Sequence, residues 1–206
     1  MLVFTLTNAA LAWPAAPQLT KPTADPAVIA LEKLGASVKY NPSGEVESVD
    51  FLGTDVLETR TFFMNNLPAP HARHLTDSGV VHLREFKQLR HLNLGGTRIT
   101  DAGLANLRDL KQLQELSLQD TRVSNAGLAH LREMKQLEVL DLGRTDVTDK
   151  GLVHLQELKQ LQVLYLSHTK VTDAGLVHLH DLERLETLDL SGAKVTDMGL
   201  AHLREL

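Results

Sequence analysis

The sequence repeats itself with a period of 24 residues over more than half of its length. Within each unit a glycine and two leucines return at the same places. The glycines are Gly79, Gly103, Gly127, Gly151, Gly175 and Gly199, and the leucines run from Leu92 and Leu94 to Leu188 and Leu190. Self-similarity at such a period is the signature of a solenoid, in which each unit contacts only its neighbours. Because a solenoid exposes one long surface, the period favours a binding molecule over a catalyst.

One unit is enough to show the local structure that each period encodes. Leu116 and Leu118 alternate with polar residues, which indicates a short strand with one buried face. Leu128, Leu131 and Met134 follow at helical spacing. Just before the helices stand Asp101, Asn125, Asp149, Asp173 and Asp197. We expect these side chains to accept from the free N–H groups of the first helical turn. The repeated unit predicts an α/β solenoid with parallel strands on the concave face and helices on the convex face.

A different pattern precedes the repeats. Residues 27–34 place apolar side chains at helical spacing, and Gly35 follows as a helix stop. Residues 37–40 and 46–51 read as two strands, and the sequence Asn-Pro-Ser-Gly at 41–44 between them favours a tight turn. A helix and a hairpin here would cover the open end of the array.

These patterns divide the chain into four segments. We expect a lead-in or signal remnant over 1–25, a helix-hairpin cap over 26–56, an irregular connection or degenerate repeat over 57–75, and 24-residue repeats over 76–206. Val49 to Val56 already resembles half a repeat, but the distance from Thr54 to Thr97 is 43 residues rather than two full periods.

The amino terminus leaves the compartment open. Met1 to Trp13 is apolar and contains small residues that a signal peptidase accepts, yet the first basic residue is Lys21. The apolar run is shorter than the roughly 20 residues that a membrane helix needs, so we expect no membrane span. The absence of cysteine excludes a disulfide framework but is compatible with either compartment. The cytoplasm is favoured over export.

The alternation along each strand also predicts which side chains face outward. Positions beside the two inner leucines point away from them, and neighbouring strands lie about 4.8 Å apart. We expect Val139, Val163 and Tyr165 to form a small exposed apolar centre. The expected polar rim consists of Asp141, Arg144, His168 and Asp189. An aromatic anchor inside a charged ring is typical of a binding hot spot, whereas the alternative is that these are solvated variable positions of the repeat.

Recurring histidines raise a metal site as a competing hypothesis. His82, His130, His154, His178 and His202 are each followed three residues later by an acidic residue. Such a pair shares a helix face and can ligate zinc, but the pairs lie on successive helices whose axes pack about 8–10 Å apart. We therefore expect these histidines to pack between helices, with no metal and no other cofactor. If they are partly buried, protonation near pH 6 is expected to weaken the array.

The sequence lacks the signatures of common enzymes. It contains no Gly-rich phosphate loop, no His-Glu-x-x-His motif and no nucleophile elbow. A net charge of −5 argues against nucleic acid as the partner, because binding to phosphates needs a basic face. We therefore predict a non-catalytic protein.

The unit Leu-x-x-Leu-x-Leu-x-x-Thr-x-Val-Thr-Asp-x-Gly-Leu-x-x-Leu resembles the leucine-rich repeat over residues 76–206. It is most similar to the Thr-Asp-x-Gly-Leu subtype abundant in planctomycete bacteria, and to the repeats of F-box leucine-rich proteins and ribonuclease inhibitors. The resemblance implies a right-handed, horseshoe-shaped solenoid. In the family, the ninth position bonds to the backbone through Asn or Cys. Here that position holds Thr97, Thr121, Thr145 and Thr169, and Ala193 ends the series. The resemblance implies that the threonine hydroxyls make this bond.

The resemblance also implies the kind of partner. The family recognises proteins, so we expect a protein or peptide ligand on the concave face. An adaptor or substrate-recognition subunit of a larger assembly is the alternative, although no F-box pattern is visible. The sequence stops at Leu206 inside a repeat helix without the polar cap that terminal repeats normally need. A homodimer through this C-terminal repeat, a truncated array and a poorly capped array all stay open.

Overall fold

The computed structural model describes residues 25–51 and 75–203 of the 206-residue chain. Apart from Asp25, the expected lead-in lies outside the described residues. The same holds for the expected irregular connection, apart from Leu75, and for the part of the half-repeat that contains Thr54 and Val56. The division into four segments stays a prediction.

The described residues form strands that alternate with short helices. The strands are β1 Ser37–Tyr40, β2 Val46–Asp50, β3 His91–Asn93, β4 Glu115–Ser117, β5 Val139–Asp141, β6 Val163–Tyr165 and β7 Thr187–Asp189. The α-helices are α1 Pro26–Lys33, α2 Asp77–Val80, α3 Asp101–Ala105, α4 Asn125–Leu128, α5 Asp149–Leu152, α6 Asp173–Leu176 and α7 Asp197–Leu200. Turns of 3₁₀ helix continue several of them, over Val81–Glu85, Ala129–Leu131, Val177–Leu179 and Ala201–Leu203.

All strands belong to one sheet whose spatial order follows the sequence from β1 to β7. Only β1 and β2 pair antiparallel, and every later pair is parallel and in register, as when Leu116 pairs with Leu140 and Leu140 with Leu164. A strand that returns every 24 residues in the same register needs a crossover each time, and the short helices supply it. This arrangement confirms the predicted α/β solenoid.

The leucines of the repeats form one continuous core between the sheet and the helices. Leu92, Leu116, Leu140 and Leu164 have no exposed surface, and the leucines of helices α3 to α6 pack against them. Burial of each such side chain contributes about 2 kcal/mol, and each requires a neighbouring repeat on both sides. In the C-terminal repeat the equivalent Leu188 is only partly buried. The core therefore loosens at the C-terminal end of the described residues.

The N-terminal elements cover the first repeat. Val28 and Leu31 of α1 are buried, and Leu34 approaches α2 so closely that a Cβ on Gly79 would lie 2.9 Å from its Cδ1 atom. Strand β2 takes the place of a repeat strand, since Val49 pairs with Leu92 as each later leucine pairs with the next. The hairpin thus starts the parallel array and adds β1 as its outer edge.

A candidate binding site on the concave face

Three adjacent strands bring the predicted binding residues into two rows. In the first row Val139 pairs with Val163, and Val163 with Thr187. The second row consists of Asp141 on β5, Tyr165 on β6 and Asp189 on β7. Because the strands are parallel and in register, the side chains of a row project on the same side at intervals of about 4.8 Å. We call this side, which faces away from the leucine core, the concave face.

Asp141 lies in the floor of this face and not in an exposed rim. Its exposed fraction is 3%, because Ser117 on one side and Tyr165 on the other occupy the same row. The prediction of an exposed Asp141 was therefore wrong. Alternation identified the side of the strand correctly but gave no information on how closely neighbouring side chains pack.

Burial raises the pKa of the Asp141 carboxyl to about 6, because a charge is disfavoured away from water. The Gly143 N–H, which donates to Asp141 Oδ1 at 2.8 Å, opposes this shift, and the nearby charge of Asp189 adds to it. The site thus contains a carboxylate whose charge the fold itself disfavours.

Tyr165 is the aromatic group of the site. It is partly buried, as are Val139 and Val163, so each keeps some surface open to a ligand. Burial raises the pKa of the Tyr165 phenol, and the charges of Asp141 and then Asp189 raise it further. The phenol therefore stays neutral near pH 7, between two carboxyl groups.

Arg144 and His168 lie at the ends of β5 and β6 in a strained backbone conformation. Their φ angles are 56° and 55°, and Asp120 has 53°, all in the left-handed region that favours glycine. The equivalent residues of the flanking repeats are Gly96 and Gly192. Sequence reasoning missed this turn, although the glycines at 96 and 192, placed at multiples of the repeat from 120, 144 and 168, carried the signal.

Arg144 and His168 differ in their surroundings. Both are exposed, but the His168 ring lies over the next turn, where a Cβ on Gly192 would come 2.6 Å from Nδ1. The structure thus places Arg144 and His168 beyond the two rows, as an edge of polar side chains along the turns.

The threonines at the ninth position hold these turns together. Each hydroxyl donates to the carbonyl of the leucine three residues earlier, at 2.6 to 2.7 Å. The bonds are Thr97 to Leu94, Thr121 to Leu118, Thr145 to Leu142 and Thr169 to Leu166. Ala193 keeps only the backbone bond from its N–H to the Leu190 carbonyl, at 2.9 Å.

The acidic position of the Thr-Asp-x-Gly motif connects one repeat to the next. Asp101 is the first residue of α3 and accepts from the N–H and hydroxyl of Ser124 in the following repeat, at 2.7 and 2.6 Å. Asp77, Asp149 and Asp173 make the corresponding contacts with the next Thr. Asn125 also accepts from the N–H of the next Thr, Thr148, but its amide donates to the Thr148 hydroxyl, both at 2.9 Å. The prediction that Asp101, Asn125, Asp149 and Asp173 cap their own helices was therefore wrong, and Asp197 likewise follows the N-cap residue Thr196. The residue before each of them, Thr or Ser, is the N-cap residue.

This contact also explains the recurring glycine. A Cβ on Gly103 would lie 2.5 Å from Asp77 Oδ1, and one on Gly151 would lie 2.6 Å from Asn125 Oδ1. For Asp173 the bonds from the side chain and then the backbone of Thr196 lower the pKa of the carboxyl. The motif thus serves the contact between successive repeats of the array.

The histidines on the convex face do not converge. His178 Nδ1 lies 3.0 Å from Gln156 Nε2, and burial, with Arg132 adding to it, lowers the pKa of His154. Within residues 25–51 and 75–203, no three histidine or acidic side chains come close enough to hold a metal ion.

In the same ranges no helix is long and apolar enough to span a bilayer.

Comparison with known families fits this architecture. Models of leucine-rich repeats match residues 88–107, 111–171 and, as two copies, 159–202. The chain belongs to the leucine-rich repeat proteins, a class of protein–protein interaction module. No curated protein matches the sequence.

Solved internalins of Listeria monocytogenes share the fold. The chain is 28% identical to internalin InlF, with a TM-score of 0.53 over 61% of this chain and 36% of that one. It is 22% identical to internalin C2, with a TM-score of 0.53 over 88% of this chain and 81% of that one. The chain thus spans about a third of the length of InlF and most of the length of internalin C2.

Proposed function

We propose that the protein is a non-catalytic recognition module that binds a protein or peptide on the concave face of β5 to β7. The observation that carries this proposal is the partly open Tyr165 beside two partly open valines. The neighbours of Tyr165 across the strands are Asp141 and Asp189. Aromatic side chains in such a setting supply much of the binding energy at protein interfaces.

The rest of the concave face supports this placement. On β3 and β4 the polar groups pair within the chain, since His91 Nδ1 lies 3.2 Å from a Glu115 oxygen and Asn93 accepts from the Gly95 N–H. On β5 to β7 the same positions hold valine, tyrosine and aspartate. The concave positions of β5 and β6 therefore present the apolar and aromatic side chains that β3 and β4 lack.

Backbone strain at Arg144 and His168 is a second support. A side chain in the left-handed region costs about 1 kcal/mol relative to glycine. Strain that the scaffold holds in place is concentrated at functional sites. In this proposal, Arg144 and His168 contact the partner at the edge, and the valines and Tyr165 contact it at the centre.

The test is capture of partners by the intact protein. The double variant Tyr165→Ala with Arg144→Ala is expected to lose the bound protein that the wild type captures from its native lysate. The matched control is Val153→Ala with Lys150→Ala, which truncates two exposed residues of the convex face. Mass spectrometry identifies the partner, and titration with the purified partner then measures its Kd. A Kd unchanged by the concave variant would show that the wrong face has been chosen.

The alternative role is an adaptor, which needs a second contact surface. The C-terminal repeat offers one, because Met198 and Leu200 are 78% and 46% exposed and β7 pairs only with β6 within the described sheet. This surface would join either two copies of the chain, as a homodimer, or the chain and a different protein. Light scattering on the purified chain distinguishes these alternatives, since a monomeric mass would exclude the homodimer.

A further inference from the structure

We propose that Asp141, Tyr165 and Asp189 form a receptor site for one cationic side chain, an arginine or a lysine, of the bound partner. This inference rests on the proposed function and specifies the chemistry that the concave face recognises. The three residues are called the acidic–aromatic row below.

The geometry of the row suits a cation. Tyr165 pairs with Asp141 on one strand and Asp189 on the other, so the two aspartates stand on the strands on either side of it, each about 4.8 Å away along the sheet. A cation on the face of a tyrosine is attracted within about 6 Å of the ring centre. A guanidinium placed there reaches both carboxylates with its forked donors, which gives charge-assisted hydrogen bonds.

The charges of the row have no cation partner within the described chain. Asp141 accepts from Gly143 and Asp189 from Ser191, both at 2.8 Å through backbone N–H groups. The lysines and arginines that form ion pairs in the described residues pair elsewhere. A buried charge is costly unless it is paired, and Asp141 is only 3% exposed.

Local structure does not require the charge on Asp141. Asn93 occupies the same row on β3 and its Oδ1 accepts from the Gly95 N–H at 3.0 Å, as Asp141 Oδ1 accepts from Gly143. An amide oxygen therefore supports this turn as well as a carboxylate does. The turn bond thus does not need the negative charge at position 141, and a ligand of positive charge would supply a cation partner for it.

The surroundings identify the cation as an organic side chain. No three acidic or histidine groups of the described residues converge as metal ligands, and one of the three groups in the row is an aromatic ring. Arg144 and His168 lie three residues after Asp141 and Tyr165, in the turns that follow these strands and outside the floor that Ser117 and Tyr165 form around Asp141. The row thus presents negative charge and an aromatic face together.

The inference is tested by NMR titration of the full chain at pH 7.5 with N-acetylarginine amide. The amide signals of Gly143 and Ser191, whose N–H groups contact the two carboxylates, are expected to shift with this probe. The neutral isostere N-acetylcitrulline amide is expected to bind about tenfold more weakly. Equal shifts with both probes, or shifts that avoid these two amides, would overturn the inference.

Variants make the test specific. Asp141→Asn and Asp189→Asn each remove one charge and are each expected to weaken binding of the arginine probe about tenfold. The control Asp120→Asn removes an exposed carboxylate on the same face but outside the row and is expected to leave probe binding unchanged. Equal affinities for the wild type and both row variants would contradict the inference.

The outcomes separate this inference from the proposed function. If Tyr165→Ala with Arg144→Ala abolishes partner capture while the arginine probe does not bind, the concave face is the binding face but its ligand is not cationic. If the probe binds at the row while partner capture is unaffected by the concave variant, the cation site exists and the proposed function is wrong.

Discussion

At the scale of single residues, a comparison of equivalent positions in different repeats separates structural contacts from features that the fold does not require. Asn93 and Asp141 occupy the same place and make the same turn bond, yet only the second carries a charge. The pair separates the turn bond, which both residues make, from the negative charge, which only Asp141 carries. In the same way, Gly96 and Arg144 occupy equivalent positions with positive φ angles, and only Arg144 carries a side chain there at a cost in backbone strain.

The first prediction concerns the pH dependence of stability at Asp141. Its pKa is raised from 3.8 to about 6 on folding, so the folded state favours the protonated form. The stability that this proton contributes is complete below pH 3.8 and is lost as the pH rises through 6. Relative to the wild type, Asp141→Asn is therefore expected to gain roughly 2 kcal/mol in its free energy of unfolding between pH 4 and pH 7.5, because part of the full effect has already developed at pH 4.

Urea unfolding of both proteins at several pH values measures this difference. Asn93 Nδ2 is buried without a hydrogen-bond partner, so the amide introduced at position 141 carries a similar cost. That cost is the same at every pH, and the prediction therefore concerns the change in the difference. A stability difference that stays constant from pH 4 to pH 7.5 would show that Asp141 titrates normally.

The second prediction concerns the glycine of the Thr-Asp-x-Gly motif. Gly151→Ala places a Cβ 2.6 Å from Asn125 Oδ1 of the preceding repeat, and overpacking of this kind costs about 1–3 kcal/mol. Because Asn125 is the obstacle, the combined variant with Asn125→Ala is expected to lose less than the sum of the single losses. A double-mutant cycle in urea measures the coupling, with exposed Lys150→Ala as the neighbouring control. Strict additivity would mean that the glycine serves another purpose.

At the scale of elements, each turn after a strand combines a stabilising bond with a strained position. The hydroxyl of Thr145 closes the turn on the Leu142 carbonyl, and the residue before it, Arg144, adopts the left-handed conformation. The hydrogen bond restrains the turn at the position where Arg144 projects from it.

The third prediction concerns Arg144, whose backbone conformation is strained while its side chain is placed at the edge of the concave face. Arg144→Gly is expected to stabilise the protein by about 1 kcal/mol, because glycine adopts a φ of 56° without strain. The same change is expected to weaken binding of the partner. Thermal unfolding together with the binding titration checks both effects, and Arg132→Gly on the convex face, where the backbone is helical, serves as the destabilising control. A loss of stability in Arg144→Gly would contradict the strain argument.

At the scale of the whole molecule, stability depends on how many neighbours a repeat has. Inner repeats bury their leucines completely, whereas Leu188, Leu190 and Val195 of the C-terminal repeat are only partly buried. The N-terminal end is covered by α1 and the hairpin, so the two ends of the described array differ.

The fourth prediction is a gradient of local stability along the array. Amide hydrogens of β7 are expected to exchange faster than those of β4 and β5, since fewer buried contacts oppose local opening. The amides of β3, next to the covered end, are expected to be as well protected as those of β4. Native-state hydrogen exchange measures this order. Uniform protection from β3 to β7 would imply that another surface covers the C-terminal repeat in solution.

The sequence by itself determined the architecture, because a solenoid is encoded by local patterns that recur. The period of 24 fixes the register of the strands, and the alternation around Leu140 and Leu164 fixes which side chains face the core. Both are properties of a single unit, so they can be read from residues that are close in the chain. For the same reason the alternation placed Tyr165 and its two valines on the concave face.

Only the tertiary structure decided how residues from different repeats act on one another. Asp101 contacts Ser124 rather than its own helix, and Asp141 is buried because Ser117 and Tyr165 stand beside it. These partners are 23 or 24 residues apart in the chain but adjacent in space. Burial, pKa shifts and cross-repeat hydrogen bonds depend on the distance between neighbouring strands and on the side chains that fill it. A pattern within one repeat carries no information about either.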